Sequence, residues 1–288
     1  LAVIPGDHGY IQSHALHFFY LASPDLLFGV DAPVEKRTVG AVAMEHEDLA
    51  RKGIQMRQFG QELIKALAGK KIPGIIAIPG GVHTTFSAEE RDYFLTDNDT
   101  PSVDTMIRWS QEVVAFIKAY HDRHFRWLDT FASYPSGHLG LVASDGALEY
   151  YDGRMRAIDA QGNITLNDIH NNNYLKYFGE GVEKWSYMKF PFLRHLGRQA
   201  GWNRVGPLAR LNVCDRISTP LANEQLREFK AYTNGRPNNH TMHSHWARLI
   251  EILHCAELIR DLLHDPALLD EVQRPKVNRR PEGIGIID

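Results

Sequence analysis

Three long stretches of the chain repeat apolar residues at helical spacing, and they limit what it can fold into. Residues 42–68 carry Met44, Leu49, Ile54, Met56, Phe59, Leu63 and Leu67 in this register, with Gly69 where a left-handed C-cap is expected. Residues 101–125 repeat the pattern through Val103, Met106, Ile107, Val113, Val114, Ile117 and Tyr120. Thr100-Pro101 ahead of them reads as a cap before a proline at the first helical position. Residues 245–264 set Trp246, Leu249, Ile250, Leu253, Ile259 and Leu263 on one side. Shorter helices are predicted over residues 10–27, an aromatic and apolar run closed by Ser23-Pro24-Asp25, and over 223–232. Ser87-Ala-Glu-Glu90 has capping-box spacing and should open another.

The texture changes at Leu139. Residues 139–143, 147–151 and 154–158 are short strand-like runs, separated by Ser144-Asp-Gly146 and Asp152-Gly153 and followed by Gln161-Gly-Asn163. The expected fold class is therefore mainly α with a small antiparallel β insert, 139–166, inside one domain spanning 1–288. No linker divides the chain. Residues 72–82 form a Gly/Pro-rich connection.

The chain has 288 residues, 43% hydrophobic and 23% charged, ordinary for a globular protein. A net charge of −3 argues for neither nucleic acid nor an anionic membrane surface, and no apolar run is long enough to span a bilayer. Two cysteines, Cys214 and Cys255, are too few for a secreted disulfide framework, which favours a reducing cytoplasm. The chain opens at Leu1 in apolar sequence already under way and closes on Glu282-Gly-Ile-Gly-Ile-Ile-Asp288, which reads as the start of a strand. The expectation is an internal segment of a longer protein.

Fifteen histidines invite a metal reading. His14 and His17 share a helix face, as do His121 and His124; His243, His245 and His254 lie on or beside the last helix. No H-E-x-x-H and no cysteine pair accompanies them, so surface faces and satisfied core histidines account for most. His14 and His17 stand apart because their helix is nearly all apolar, and buried polar edges there need partners. Pro79-Gly-Gly-Val82 lacks both phosphate-loop spacings and reads as a tight turn. The cysteines read as small buried residues. Arg204-Val-Gly-Pro-Leu-Ala-Arg210 reads as a structural clamp, or as arginines organising a site. Trp185-Ser-Tyr-Met-Lys-Phe-Pro-Phe192 reads as core or as a buried subunit contact.

Seven segments then carry a specific resemblance: Gln12-Ser-His-Ala-Leu-His-Phe-Phe19 with Ser23-Pro-Asp25; Ile78-Pro-Gly-Gly-Val82; Leu148-Glu-Tyr-Tyr-Asp-Gly153; Trp185-Ser-Tyr-Met-Lys-Phe190; Arg204-Val-Gly-Pro-Leu-Ala-Arg210; His245-Trp-Ala-Arg248 with Ile250-Glu251; and Glu282-Gly-Ile-Gly285. In this order, the chain resembles the central part of the large, catalytic subunit of a nickel–iron hydrogenase, most of all the soluble NAD-reducing type. The resemblance implies reversible heterolytic cleavage of H2. It implies a nickel–iron centre with carbon monoxide and cyanide on the iron, and an iron–sulfur small subunit that takes the electrons. Diaphorase subunits carrying flavin would pass them on to NAD(P).

The family's thiolate ligands come from an R-x-C-G-x-C type motif and a D-P-C-x-x-C motif, and neither is in this chain. Cys214 and Cys255 do not align with them, so no residue here is assigned as a metal ligand. The helix carrying Ser13, His14 and His17 corresponds to one that lines the metal pocket, making these three the expected site residues. Membrane-type members commonly have Asp where Ser13 stands, which removes a carboxylate role there. Related sequences usually have His where Pro73 stands. A metal-free relative, the quinone-site subunit of a complex I-like oxidoreductase, is the alternative; the wording around His17 and from Arg204 to Arg210 argues against it. A helical interaction protein would leave the seven ordered segments unexplained.

Overall fold

The local signals at helix ends are realised first. Ser87 Oγ accepts from the Glu90 amide at 3.1 Å and a Glu90 carboxylate oxygen accepts from the Ser87 amide at 2.9 Å, a complete capping box. Gly69 closes its helix at φ 72°. A computed structural model describes residues 7–71, 76–78, 81–82, 84–270 and 284. Pro73, Pro79-Gly80 and Glu282–Gly285, apart from Ile284, lie outside them. The described residues group into two compact units: residues up to 119 together with 248–270, and residues 120–247. No linker marks the division, because both boundaries fall inside helices.

The first unit is helical. It contains α1 (Asp7–Ala15), a π-helical segment (Leu16–Ala22), α2 (Ser23–Phe28), α3 (Val39–Glu45) and α4 (Glu47–Ala68). A two-residue β1 (Ala77–Ile78) pairs antiparallel with β2 (Gly81–Val82), and α5 (Ala88–Leu95) follows. The unit also takes most of α6 (Val103–Leu128) and, much later in the chain, most of α11 (Ser244–His264). Ser23-Pro24-Asp25 does not close the first helix. Pro24 sits in the opening turn of α2, where its missing N–H costs nothing, and helix persists to Phe28 before Gly29 at φ 88° ends it. The single helix predicted over 42–68 is two, broken at His46. Its stripe is correspondingly shifted: Met56, Phe59 and Leu63 are buried, whereas Met44 and Ile54 are exposed. The cap of α6 is Ser102, whose Oγ accepts from the Thr105 amide at 3.3 Å, so Thr100-Pro101 lies just outside the helix. All seven residues of the α6 stripe are buried as expected.

The second unit carries the larger sheets. β3 (Gly137–Val142), β4 (Arg154–Ile158), β5 (Ile164–Ile169) and β8 (Asn203–Arg204) form one sheet in the order β5-β4-β3-β8. β3 pairs antiparallel with β4, Leu139 opposite Ala157, and parallel with β8. After the short α7 (Tyr174–Tyr177), β6 (Phe178–Val182) and β7 (Lys189–Leu193) form a separate hairpin. The β structure thus extends well past 166. The run 147–151 is not a strand: it makes only isolated bridges, Val142 to Leu148 and Ala147 to Arg216, while β4 takes the neighbouring place beside β3. Leu141, Met155, Ala157, Leu166, Phe178 and Leu193 form an apolar cluster in this unit. Trp185, Tyr187 and Met188 are exposed on the hairpin connection rather than in a core, because the segment turns outward between paired strands. α8 (Gly197–Ala200), α9 (Pro207–Val213), α10 (Pro220–Tyr232) and the start of α11 complete the unit.

Burial of unprotonated histidines makes the fold acid-sensitive. His138 in the second unit and His254 in the first are each pushed down to about 4, chiefly by burial. In an unfolded chain both return to about 6.5. Between those values the unfolded chain binds protons that the folded chain does not, so stability is full above pH 6.5 and falls as pH drops toward 4. Two such groups give a slope approaching about 3 kcal/mol per pH unit. Unfolding midpoints measured at about pH 7, 6 and 5 should descend; a flat profile would contradict the assignment.

Candidate functional site

The helix that carries the expected site residues is set in place by two glycines on α4. A Cβ built on Gly60 would stand 2.9 Å from the Gln12 backbone nitrogen, and one on Gly53 would stand 2.4 Å from Cγ of Phe19. Only hydrogen at these positions lets α1 and the π-helical segment approach α4 so closely. The wider π-helical turn begins at Leu16, so it falls between His14 and His17 and alters their relative placement from ideal i,i+3 geometry.

His14 is buried and bonded through both ring nitrogens to residues of α11. Its Nε2 lies 2.6 Å from Glu251 Oε2, and its Nδ1 lies 2.9 Å from Nη1 of Arg248. A guanidinium only donates, so Nδ1 is the acceptor and the ring proton sits on Nε2, donated to Glu251. His14 is thereby locked in one tautomer between a cation and an anion. Glu251 is completely buried, and a carboxylate in such a place requires a partner of this kind. His17 is part-buried and lowered to about 4, first by burial and then by Arg248 and His14. It is therefore neutral near pH 7, with one nitrogen to donate and one to accept, and too weak a base to hold a proton at rest. Ser13 is exposed in this chain, on a different face from His14.

Two of the three expected residues, His14 and His17, thus share one polar cluster with Arg248 and Glu251. In the sequence, Arg248 and Glu251 stand out only as family wording. The local signal that points to them is an acid placed among Leu249, Ile250, Ile252 and Leu253, on a helix where every neighbour is buried. The other histidines divide differently from their spacing. His124 stacks on Tyr120 at 4.3 Å, while His121 meets His243 and Asp129. Arg204 acts as the clamp: it donates to the carbonyls of Asn239 and Tyr134 at 3.0 and 3.1 Å and covers the Tyr134 ring. Arg210 is buried against the Tyr150 ring.

A nickel–iron centre needs thiolates, since soft ligands hold soft redox metals. Cys255 is buried in α11 within the first unit, and Cys214 caps α9 within the second, its thiol 3.8 Å from the Leu211 carbonyl. Among the described residues neither belongs to a group of ligating side chains. Cys214 and Cys255 alone do not make such a centre.

Comparison with known proteins gives the cluster its setting. The chain is 44% identical to the NAD-reducing hydrogenase HoxS subunit beta of Cupriavidus necator over 282 residues, covering 96% of the chain and 58% of that protein. It is 37% identical to a vhu-type F420-non-reducing hydrogenase chain of Methanococcus voltae over 278 residues, covering 96% of the chain and 64% of that protein. A crystal structure of an NAD+-reducing [NiFe]-hydrogenase in the H2-reduced state superposes with a TM-score of 0.90 at 42% identity, over 96% of the chain and 60% of that structure's chain. No protein-family model matches. The chain spans about three fifths of the length of these relatives, and over that span it is similar to chains of nickel–iron hydrogenases, the NAD-reducing type among them.

Proposed function

We propose that the protein containing this chain is the catalytic component of a nickel–iron hydrogenase that reversibly oxidises H2, with electrons leaving through a small iron–sulfur subunit, then through flavin-bearing diaphorase subunits to NAD(P). The reading rests on the likeness to the NAD-reducing hydrogenase chain over 96% of this one. The centre would carry carbon monoxide and cyanide on its iron and would take its thiolates from residues other than Cys214 and Cys255. Heterolytic chemistry on H2 is what that centre supplies. A cytoplasmic location accords with an NAD-linked acceptor. Among the described residues, no helix is long and apolar enough to cross a membrane.

In this reading the residues of the chain form surroundings rather than ligands. The Arg248–His14–Glu251 relay fixes the helix carrying His17 and fixes the tautomer of His14. His17, held neutral, offers a hydrogen bond to the pocket and takes a proton only when charge developing beside it offsets its burial and the influence of Arg248. Ser13 presents a hydroxyl on the exposed side of the same helix. Groups of this kind orient ligands and typically contribute about 10–100-fold to activity.

The test is His17→Ala in the complete protein with its partner subunits. Hydrogen turnover per bound nickel should fall by about 10–100-fold while the unfolding temperature changes little. Equal turnover per nickel would retire the role of His17. Nickel content and H2 oxidation by the unsubstituted protein test the assignment itself.

A further inference from the structure

The second unit contains a group of ligating side chains that the hydrogenase reading leaves unused. His121 lies near the end of α6, Asp129 directly follows that helix, and His243 closes a 3-10 turn ahead of α11. His121 Nε2 and Asp129 Oδ1 are 2.9 Å apart, His243 Nε2 and the same oxygen 3.0 Å, and the two Nε2 atoms 2.8 Å. Both histidines are buried, and the Asp129 side chain is only 21% exposed.

Hydrogen bonding alone does not satisfy this triangle. An ionised carboxylate brings no proton. If both Nε2 atoms carry hydrogens, both donate to Oδ1 but two N–H groups face each other side by side. If only one does, the bare lone pair of the other faces the carboxylate. Each protonation pattern leaves one edge unfavourable, whereas a cation above the face satisfies all three lone pairs. Ligands about 2.1 Å from an ion stand about 3.0 Å apart at the right angle of octahedral coordination and about 3.4 Å apart at the tetrahedral angle zinc adopts, so the triangle matches the first and widens by about half an ångström around zinc. Two imidazoles and a carboxylate on one face are a donor set for divalent first-row transition ions, with the remaining positions open.

The supports behind the three atoms are in place. Tyr232 Oη donates to Asp129 Oδ2 at 2.5 Å, orienting the carboxylate so that Oδ1 points inward. The Asn238 amide lies 2.7 Å from His243 Nδ1 and fixes that ring. The amide nitrogen faces Nδ1 and its oxygen accepts from the His240 amide at 3.1 Å, so a metal on Nε2, which moves the ring proton to Nδ1, requires the Asn238 amide to turn over and give up the His240 contact. The Tyr232 ring packs edge-on against both imidazoles at 4.8 and 5.1 Å. In a straight helix His121 and Asp129 would lie about 12 Å apart along the axis. The non-helical backbone at His124 (φ −121°, ψ 15°) and the helix end at Leu128 return Asp129 to His121.

We propose that His121, Asp129 and His243 bind one divalent first-row transition cation, with Zn2+ as the reference ion, which ties the end of α6 to the turn before α11. This does not depend on the hydrogenase reading. The test uses the complete protein, treated with a mild chelator, desalted and titrated with Zn2+. One equivalent of zinc per chain should survive gel filtration, and bound zinc should fall at least about tenfold in Asp129→Asn and His121→Gln. Zinc retained equally by the variants would overturn the proposal. The unsubstituted protein gives a second readout that needs no folded variant. Zn2+ at about 0.1 mM should raise its unfolding temperature where Mg2+ does not, and Co2+ should produce a visible absorption that Zn2+ displaces. Absence of both effects would also overturn the proposal. Zinc and nickel are counted separately, so a protein with zinc and no H2 activity would refute the hydrogenase reading alone.

Discussion

Replacing Glu251 by alanine is expected to be among the most damaging single changes in this chain, lowering stability by about 3–5 kcal/mol. Glu251 is completely buried, and its carboxylate accepts from His14 at 2.6 Å. Removing it leaves the His14 Nε2–H without its acceptor and Arg248 without the negative charge that the imidazole relays. Glu251→Gln keeps an acceptor of the same shape and removes only the charge, so it should cost distinctly less. The unfolding temperature of the complete protein should therefore rank unsubstituted, Gln, Ala in descending order. A double-mutant cycle between His14→Ala and Glu251→Ala should show a coupling above about 1 kcal/mol, as residues in direct contact do. Additive effects would mean that the 2.6 Å contact carries no energy.

The second large effect is expected at Gly60. Alanine in a helix gains up to about 1 kcal/mol over glycine, and overpacking costs about 1–3 kcal/mol. For Gly60→Ala overpacking exceeds the propensity gain, because the Cβ would meet backbone at 2.9 Å. Gly60→Val gives back part of the propensity gain and adds two methyls in the same place, so overpacking wins and α1 must move away from α4. The unfolding temperature should drop by several degrees, and turnover should fall with it because His14 travels with α1. Gly9, on the same helix, has nothing within 4 Å of its built Cβ, so Gly9→Ala should be neutral or slightly stabilising. Similar behaviour of Gly9→Ala and Gly60→Val would show that the close approach is not what holds the helix.

What the sequence makes legible follows the range of each interaction. The Gly69 cap, the Ser87–Glu90 box and the α6 stripe depend on residues close along the helix, and the sequence shows all three. The break at His46 is hidden, because apolar spacing continues through it. Ser102 displaces Thr100 as a cap because Asp97 accepts from the Ser102 amide at 2.7 Å and holds that turn. Helical wording also does not distinguish the π-helical turn at 16–22 from α-helix. Strand-like composition at 147–151 loses to the direct pairing of β3 with β4, a tertiary choice. His14 and His17 stand out as polar groups in an apolar helix needing partners. The apolar setting calls for such partners but does not name Arg248 or Glu251, which lie 234 and 237 positions from His14. The same limit hides Asp129: spacing pairs His121 with His124, and the structure pairs His121 with His243 through an aspartate that no motif marks.

The proposed hydrogen activation by the complete protein is open to direct measurement. The complete protein, purified anaerobically with the subunits that accompany it, can be given H2 and NAD+ while NADH is followed by absorbance and nickel by elemental analysis. H2-dependent NADH formation and about one nickel per large subunit are expected. A folded, fully assembled protein that holds no nickel and forms no NADH from H2 would contradict the proposal.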